Sequence, residues 1–336
     1  MLSNKSLVAA CAIAFCCNVA LMVLFVKYNS GEKCYITIDE KQVVTSIIPD
    51  DFLSIGIDTS EIEHYDKIEF GKPRLRQLAA ALAPARLRLG GTMSDRLIFS
   101  ENDIVASCEH CPKDSHSKSA CSAVRKLCKH KHLPFFIMTE TSSSYGGGAP
   151  GLSNSFAGSA LWLDKLGLSA KYNITTVVRQ SFIGGNYSLV DKKLEPLPDW
   201  WLSVIYKKLV GSKVLHVDCK CSPLQRMYVH CANRKYTNDT SAVTVYAVNL
   251  EMAKARFLLN GTALHGDNLV IDEFILSAPS NNRRSKTLLL NGWPLYYESA
   301  LPDLEPVRLK YGNHISMPPY SLAFWVIKNT SIKVCI

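Results

Sequence analysis

The chain has 336 residues, of which 47% are hydrophobic and 20% charged, and its formal net charge is +9. This composition excludes a disordered or low-complexity protein, and the length suffices for one large domain or two ordinary ones. The positive charge favours anionic partners such as nucleic acid, acidic lipid or sulfated glycan, although ordinary solubility accounts for it equally well.

The N-terminal region resembles a membrane-targeting segment. Residues 7–26 carry no charge and are flanked by Lys5 and Lys27. A stretch of this length spans a bilayer core, and no A-x-A cleavage site follows it. We interpret residues 1–30 as an uncleaved signal-anchor, with a cleaved signal peptide as the alternative.

Glycosylation sequons follow this segment, at Asn173, Asn186, Asn238, Asn260 and Asn329. They favour a lumenal or extracellular body, so we expect either a single-pass membrane protein or a secreted or lysosomal one. Such a compartment is oxidising, and most cysteines beyond the apolar segment are expected to pair. Cys11, Cys16 and Cys17 lie within that segment.

The first half of the chain alternates strand-like and helix-like segments. The predicted strands are 34–39, 51–58, 85–89, 133–139 and 174–180, and the predicted helices are 72–83, 155–171 and 197–210. Strand–helix–strand units predict a parallel sheet. From about residue 213 short alternating strands separated by polar turns take over, which predicts an antiparallel β-sandwich.

Residues 101–132 interrupt this rhythm with a Cys/Lys-rich insert. It contains a CxxC pair followed by further cysteines and histidines, namely Cys108, Cys111, Cys121, Cys128, His130 and His132. Structural zinc is one interpretation. Because the compartment is oxidising and the spacing fits no common zinc finger, we favour disulfides or disorder and expect no metal.

Glu140 is the strongest candidate for chemistry. It ends an apolar strand and is followed by Tyr145 and three glycines. In α/β barrels the carboxyl ends of strands carry catalytic groups, and glycines allow the backbone to approach a ligand. A capping glutamate in an ordinary loop is the alternative.

Several long motifs resemble the heparanases, which are retaining endo-β-glucuronidases of glycoside hydrolase family 79. The motifs are TETSSSYGGGAP from Thr139 with WLDKLGLSA from Trp162, FLSIGID from Phe52, LRLGGT from Leu87, GNYSLVD from Gly185 and KKLVGSK from Lys207. The resemblance covers residues 35–100 and 133–336. It implies heparan sulfate or heparin-like glycans of the extracellular matrix as the partner, with no cofactor and no nucleic acid.

The resemblance also implies roles for individual residues. Glu140 takes the position of the nucleophile, and the glycan cleft is implied to be lined by Asp58, Thr92, Tyr145, Gly146, Gly147 and Tyr187. The basic strip Lys207–Lys208 agrees with a sulfated substrate. Cys231 and Cys335 match a disulfide of the family, whereas Cys219 and Cys221 are too close in sequence to bridge easily.

The departure from the family is as informative as the match. Retention needs a second carboxyl as general acid, which the family supplies from an Asn-Glu-Pro turn, and no Asn-Glu occurs here. Strands three to six of the family's barrel are also missing. We therefore predict an α/β fold in which residues 50–210 form a truncated TIM barrel that retains strands one, two, seven and eight as one contiguous sheet. Residues 34–48 are expected to supply the first strand of the sandwich that residues 213–336 form.

Three hypotheses follow. The chain is an endo-β-glucuronidase whose acid comes from elsewhere, an inactive relative that binds heparan sulfate, or a splice or gene-model fragment. Other acids near the gap are Glu101, Asp103, Glu109 and Asp114. None follows a predicted strand that would hold it rigidly, so we favour the inactive binding protein.

Overall fold

A computed structural model describes residues 34–38, 44–62, 71–91, 98–99, 104–105, 136–260, 264, 269–310 and 314–336. Within these residues, no helix combines the length and apolarity needed to cross a bilayer. The predicted signal-anchor at 7–26 lies outside the described residues. So does the insert at 101–132, with its cysteines, histidines and acidic residues, apart from residues 104–105.

A curved four-stranded parallel sheet forms the first part of the fold. Its strands are β3 (Leu53–Asp58), β4 (Leu87–Gly90), β7 (Phe136–Thr141) and β8 (Ile174–Arg179), paired in the order β4-β3-β8-β7. Every pairing is parallel. This is the contiguous order that was expected: the later strands β7 and β8 lie beside the earlier strands β3 and β4, with β8 paired to β3.

Helices connect these strands and cover one face of the sheet. They are α1 (Thr59–Ile62), α2 (Pro73–Ala80), α3 (Phe156–Lys171) and α4 (Pro198–Leu209). Proline occupies the first turn of both α2 and α4, where its missing N–H costs no hydrogen bond. Trp162 of α3 and Trp200 of α4 are buried in the core that these helices share with β3.

Most of the remaining strands form two mainly antiparallel sheets, one of four strands and one of nine. The four-stranded one has the order β10 (Val217–Lys220), β1 (Cys34–Ile38), β13 (Ala255–Asn260) and β18 (His314–Met317). The path of the nine-stranded one is β16 (Trp293–Pro294), β15 (Leu289–Leu290), β14 (Val270–Ser277), β19 (Ser321–Lys328), β12 (Val243–Asn249), β11 (Gln225–Ala232), β9 (Val210–Leu215) and β2 (Val44–Ile47), with β17 (Val307–Lys310) also pairing β14. A short hairpin, β5 (Ile98–Phe99) with β6 (Ile104–Val105), and 3-10 turns at Pro279–Asn281 and Lys333–Cys335 complete the elements.

The nine-stranded sheet contributes to two cores. Tyr246 of β12 and Phe324 of β19 pack with the helices that cover the parallel sheet. Val245 and Trp325, on the other face of the same two strands, pack with Phe257 of the four-stranded antiparallel sheet. Alternate residues of a strand face opposite sides, so β12 and β19 are apolar on both faces. All seven residues of β12 are buried. The sequence analysis treated these segments as alternating strands, and β12 and β19 are strands, but they are buried on both faces.

Among the described residues, two disulfides tie strands of the antiparallel sheets to neighbouring segments. Cys231 of β11 bonds to Cys335 near the C-terminus, with Cα atoms 5.4 Å apart, as the resemblance implies. Cys219 also bonds to Cys221, which corrects the interpretation that these two are too close in sequence to bridge easily. Residues i and i+2 of an extended chain point to the same face, and their Cα separation of 5.3 Å is within the ordinary disulfide range.

His230 of β11 makes stability depend on pH. Its Nδ1 lies 2.9 Å from the Gly211 carbonyl oxygen and its Nε2 lies 3.0 Å from the Tyr246 hydroxyl. Burial lowers the pKa of His230 from 6.5 to about 4. The unfolded chain therefore binds a proton that the folded chain excludes, and the stabilisation, complete above the unfolded pKa, is lost as the pH falls through this interval.

We expect the free energy of unfolding to fall by roughly 3 kcal/mol through this group between about pH 6.5 and pH 4. Denaturant unfolding of the wild type and of His230→Gln across this range measures it, because the variant should lack this part of the slope. His216, which is exposed, provides the matched control His216→Gln. Equal slopes in the wild type and His230→Gln would contradict the assignment.

Candidate active site

The carboxyl ends of the four parallel strands open into one cleft of about 610 Å³. Parallel pairing brings these ends to the same edge of the sheet, which is where α/β folds bind ligands. The described lining consists of Asp58, Arg88, Gly91, Glu140, Thr141, Ser142, Ser144, Tyr145, Gly146, Gly147, Gln180 and Tyr187. Six of the predicted site residues are therefore brought together here, and the seventh, Thr92, lies outside the described residues.

Glu140 is held by Arg88, which is not among the site residues predicted from the sequence. Its Oε2 accepts a hydrogen bond from Arg88 Nη1 at 2.8 Å, and both side chains remain partly exposed, at 47% and 31%. Among the described residues no group donates to the other oxygen, Oε1. The pair fixes the carboxylate while leaving one oxygen available to a ligand.

The Arg88–Glu140 contact also reports the curvature of the sheet. Arg88 lies on β4 and Glu140 on β7, which are its two outer strands. In a flat sheet these strands would be about 14 Å apart. The sheet must curl towards its own edges for this ion pair to form, as a segment of a barrel wall does. A sequence pattern that could have indicated Arg88 is its position between Leu87 and Leu89. Because side chains alternate along a strand, Arg88 points to the face of the sheet opposite to the one that the two leucines occupy.

Asp58 is engaged on both of its oxygens. Its Oδ1 accepts hydrogen bonds from the Ser60 backbone N–H at 3.0 Å and the Ser60 hydroxyl at 2.7 Å, and its Oδ2 accepts one from Gln180 Nε2 at 3.0 Å. A carboxylate that caps a turn in this way is oriented as an acceptor. It is poorly arranged to carry a proton to a ligand.

A glycine-rich loop forms the rim of the cleft. Gly146, Gly147 and Gly148 all have positive φ, at 69°, 85° and 89°. The carbonyl oxygen of Gly147 accepts a hydrogen bond from the Asn186 N–H at 2.6 Å. A side chain at position 148 would come within 2.8 Å of the Tyr187 backbone nitrogen. The glycines therefore let two loops touch, while Tyr145 projects fully into solvent.

Tyr187 is the half-buried aromatic of the cleft. Burial raises its pKa, and the negative charge of Asp58 adds to this, while a hydrogen bond with Gln180 acts in the opposite direction. Its hydroxyl is thus protonated at neutral pH and available to donate to a sugar oxygen. The ring offers an apolar surface for a sugar face.

A buried ion pair supports Tyr187 from beneath. Arg179 Nη2 lies 2.6 Å from Asp199 Oδ2, with only 1% and 2% of the side chains exposed. The same guanidinium donates to the Tyr187 carbonyl oxygen at 2.7 Å, and Asp199 Oδ1 accepts from the Ser159 hydroxyl at 2.7 Å. Arg179 also lies over the Trp162 ring at 4.7 Å.

Lys165 of α3 fixes the chain directly after Glu140. Its Nζ donates to Thr141 Oγ1 at 2.7 Å and to the Ser142 carbonyl oxygen at 2.6 Å. Burial lowers the pKa of Lys165, as does the neighbouring charge of Arg179. The lysine is therefore a positioning residue beneath the loop.

The basic strip Lys207–Lys208 lies elsewhere. Lys207 donates to the Pro84 and Asp50 carbonyl oxygens at 2.6 and 3.3 Å, which precede β4 and β3 at the end of the sheet opposite the cleft. Burial lowers its pKa to about 8. Lys208 donates to the Leu304 carbonyl oxygen. Neither lysine lines the cleft, so the position of this strip adds no support to a sulfated substrate there.

Four of the five sequon asparagines are exposed. The side chains of Asn173, Asn238, Asn260 and Asn329 are all exposed. Each is therefore open to modification by a glycosyltransferase, and the attachment of glycans remains a prediction.

Comparison with known proteins identifies heparanases as homologues. A heparanase from Bos taurus is 40% identical over 230 residues, which cover 66% of this chain and 42% of that protein. The inactive heparanase-2 of Homo sapiens is 36% identical over 204 residues, or 56% of this chain and 34% of that protein. A hyaluronoglucuronidase from Hirudo nipponia is 32% identical over 220 residues, or 63% and 44%.

The chain thus spans less than half the length of these relatives. Over the matched part the chain is similar to heparanases, as the motifs indicated, and one of these relatives is named inactive. No protein-family model matches. Among solved structures, a GH51 α-L-arabinofuranosidase from Thermotoga petrophila aligns with a TM-score of 0.43 and 11% identity, covering 63% of this chain and 48% of that one. A score this low does not assign a fold.

Proposed function

We propose that this chain binds heparan sulfate-type glycans in a cleft that retains the nucleophile of a retaining glycosidase and lacks its general acid. The observation that carries the proposal is the pairing of Glu140 with Arg88 in a cleft whose only other described carboxylate, Asp58, is fully hydrogen-bonded. The catalytic pair of a retaining enzyme stands about 5–5.5 Å apart, with one partner free to protonate the leaving oxygen.

The architecture behind this proposal is a truncated TIM barrel followed by a β-sandwich. The curvature of the β4-β3-β8-β7 sheet supports the barrel segment. Shared burial of Phe257 and Trp325 between the two antiparallel sheets supports a sandwich whose first strand is β1. We place the body in the lumen or outside the cell, where heparan sulfate occurs, either anchored by residues 7–26 or secreted.

The described part of the cleft has no excess of positive charge, so its own charges are not expected to attract a sulfated glycan. Its lining contains two carboxylates and one arginine. Attraction to a polyanion must therefore come from the +9 charge of the whole chain, with Tyr187 and the glycine loop contacting the sugars. Such binding should weaken as salt screens the field.

Replacing Glu140 by glutamine should tighten binding of a heparan sulfate hexasaccharide by a factor of about 3–10, because it removes one negative charge and frees Arg88. Titration calorimetry at physiological ionic strength measures the change. Glu195→Gln is the matched control, since Glu195 forms an ion pair with Arg74 at 2.9 Å and is similarly exposed. Equal affinity for Glu140→Gln and wild type would place the glycan elsewhere, and absence of any binding would refute the proposal.

A second candidate function is hydrolysis with an acid supplied by another chain. Neither outer strand, β4 nor β7, has a second neighbour among the described strands, and free strand edges favour pairing with other chains. If a second copy supplies the acid, digestion of heparan sulfate should rise with the square of the chain concentration at concentrations where the chain is shown to be monomeric. No digestion, or digestion by a chain that stays monomeric with first-order dependence, excludes it. The remaining possibility, a fragment without function, predicts unfolding without a cooperative transition.

A further inference from the structure

One tryptophan differs from the other four in its environment. Trp162, Trp200, Trp201 and Trp325 are buried, with at most 2% of their surface exposed, whereas Trp293 is 79% exposed. A tryptophan left in water forgoes a large gain from burial, and interfaces are enriched in this residue because it supplies much of their binding energy. Trp293 lies in the antiparallel part of the fold, outside the cleft.

The hairpin that carries Trp293 is rigid. β15 and β16 are joined by Asn291 and Gly292, at φ 50° and 87°, and Trp293 pairs with Leu290. The Asn291 side chain accepts from the Ile275 N–H at 2.7 Å and donates to the carbonyl oxygens of Glu273 and Glu305 at 3.2 Å. The ring is thus presented on a preorganised surface, which lowers the entropy lost on binding.

Beside this ring is an open cavity of about 730 Å³, which we call the Trp293 cavity. Its lining includes three further exposed apolar side chains, Tyr296, Leu301 and Val307, at 63%, 41% and 46%. An apolar surface of this kind, assembled from one hairpin and one loop, is typical of a contact site for another molecule.

The charges around the cavity identify the kind of partner. In a chain of net charge +9, its lining contains three carboxylates, Glu298, Asp303 and Glu305, and no lysine or arginine. None of the three forms an ion pair with a described residue. Arg74, which approaches this loop, donates to the carbonyl oxygens of Tyr297 and Glu298 and pairs with Glu195. A sulfated glycan would be repelled here, whereas a cation would be attracted.

We propose that the Trp293 cavity is a docking site for a basic, partly apolar peptide segment of a partner protein. An arginine or lysine of the segment lies over the Trp293 ring and near the carboxylates, and an apolar side chain enters the cavity between Tyr296 and Leu301. Recognition is by side chains, because Pro294 removes a backbone donor from the two-residue edge strand β16.

The test uses the full chain and a synthetic peptide of alternating arginine and leucine. Because the other four tryptophans are buried, acrylamide quenching of the fluorescence reports mainly on Trp293. We expect the peptide to protect Trp293 from quenching by acrylamide. The same peptide with glutamate in place of arginine should give no protection. Raising the salt concentration should weaken the protection severalfold.

Variants separate this site from nonspecific attraction. Calorimetry should show at least a tenfold loss of peptide affinity in Trp293→Ala and in the triple variant Glu298→Gln, Asp303→Asn, Glu305→Gln. Tyr172→Ala, which removes another exposed ring, should bind as the wild type does. Wild-type affinity in Trp293→Ala, or protection by a neutral oligosaccharide but not by the peptide, would overturn the proposal.

Discussion

Replacing Asp199 by alanine is expected to lower the free energy of unfolding by about 3–5 kcal/mol, because it leaves a buried guanidinium without its counter-charge. Asp199 and Arg179 are almost fully buried and 2.6 Å apart. The carboxylate also accepts the Ser159 hydroxyl. Three elements, α3, α4 and β8, therefore meet at this one side chain, and denaturant unfolding measures the loss.

Two comparisons make this prediction specific. Glu195→Ala removes the exposed partner of a partly exposed arginine, Arg74, and should cost less than about 1 kcal/mol. The double variant Arg179→Met, Asp199→Leu, which replaces both charges with apolar groups, should recover much of the loss. If Asp199→Ala were as stable as Glu195→Ala, the buried pair would not hold these elements together.

The same variant should also affect the cleft. Arg179 donates to the Tyr187 carbonyl oxygen, so an arginine that loses Asp199 and shifts towards solvent no longer fixes this loop. We expect weaker glycan binding in Asp199→Ala, at temperatures where it is still folded. Glu195→Ala should bind glycan as the wild type does.

The second large effect concerns Glu140 as a nucleophile. A 2-deoxy-2-fluoro-β-glucuronyl fluoride needs no general acid, because fluoride leaves without a proton. The Glu140 carboxylate forms a bond to the anomeric carbon as the carbon–fluorine bond breaks, giving an ester. We expect one such label per chain, identified on Glu140 by mass spectrometry of the digested protein.

The label should also persist. Hydrolysis of the ester needs a general base, which is the same group that the chain lacks as an acid. Glu140→Gln should give no label, whereas Glu195→Gln should label as the wild type does. A label on another residue, or one that turns over at the rate of an active glycosidase, would show that this assignment of the cleft is wrong.

Much of the candidate site followed from the sequence. Glu140 was predicted from its position at the end of an apolar strand, whereas Asp58 and Tyr187 were implied by the resemblance, and the parallel strands bring all three to one edge. Strand positions were predicted within a few residues because β3, β7 and β8 are apolar runs of ordinary length.

The contacts between elements did not follow from the sequence. The Arg88–Glu140 pair depends on curvature that brings β4 towards β7, and no local pattern encodes it. Lys207 and Lys208 agree with a sulfated substrate by their charge alone, but in the fold they donate to backbone carbonyl oxygens away from the cleft. The Cys219–Cys221 disulfide depends on how the chain bends at the end of β10.

The central claim is that the cleft has a nucleophile and no acid, and the length of heparan sulfate chains after incubation with the protein tests it most directly. Size-exclusion profiles should be identical for the wild type, Glu140→Ala and a buffer control. Shortening of the chains by the wild type that Glu140→Ala does not produce would contradict the claim, because it would show that a general acid acts in this site.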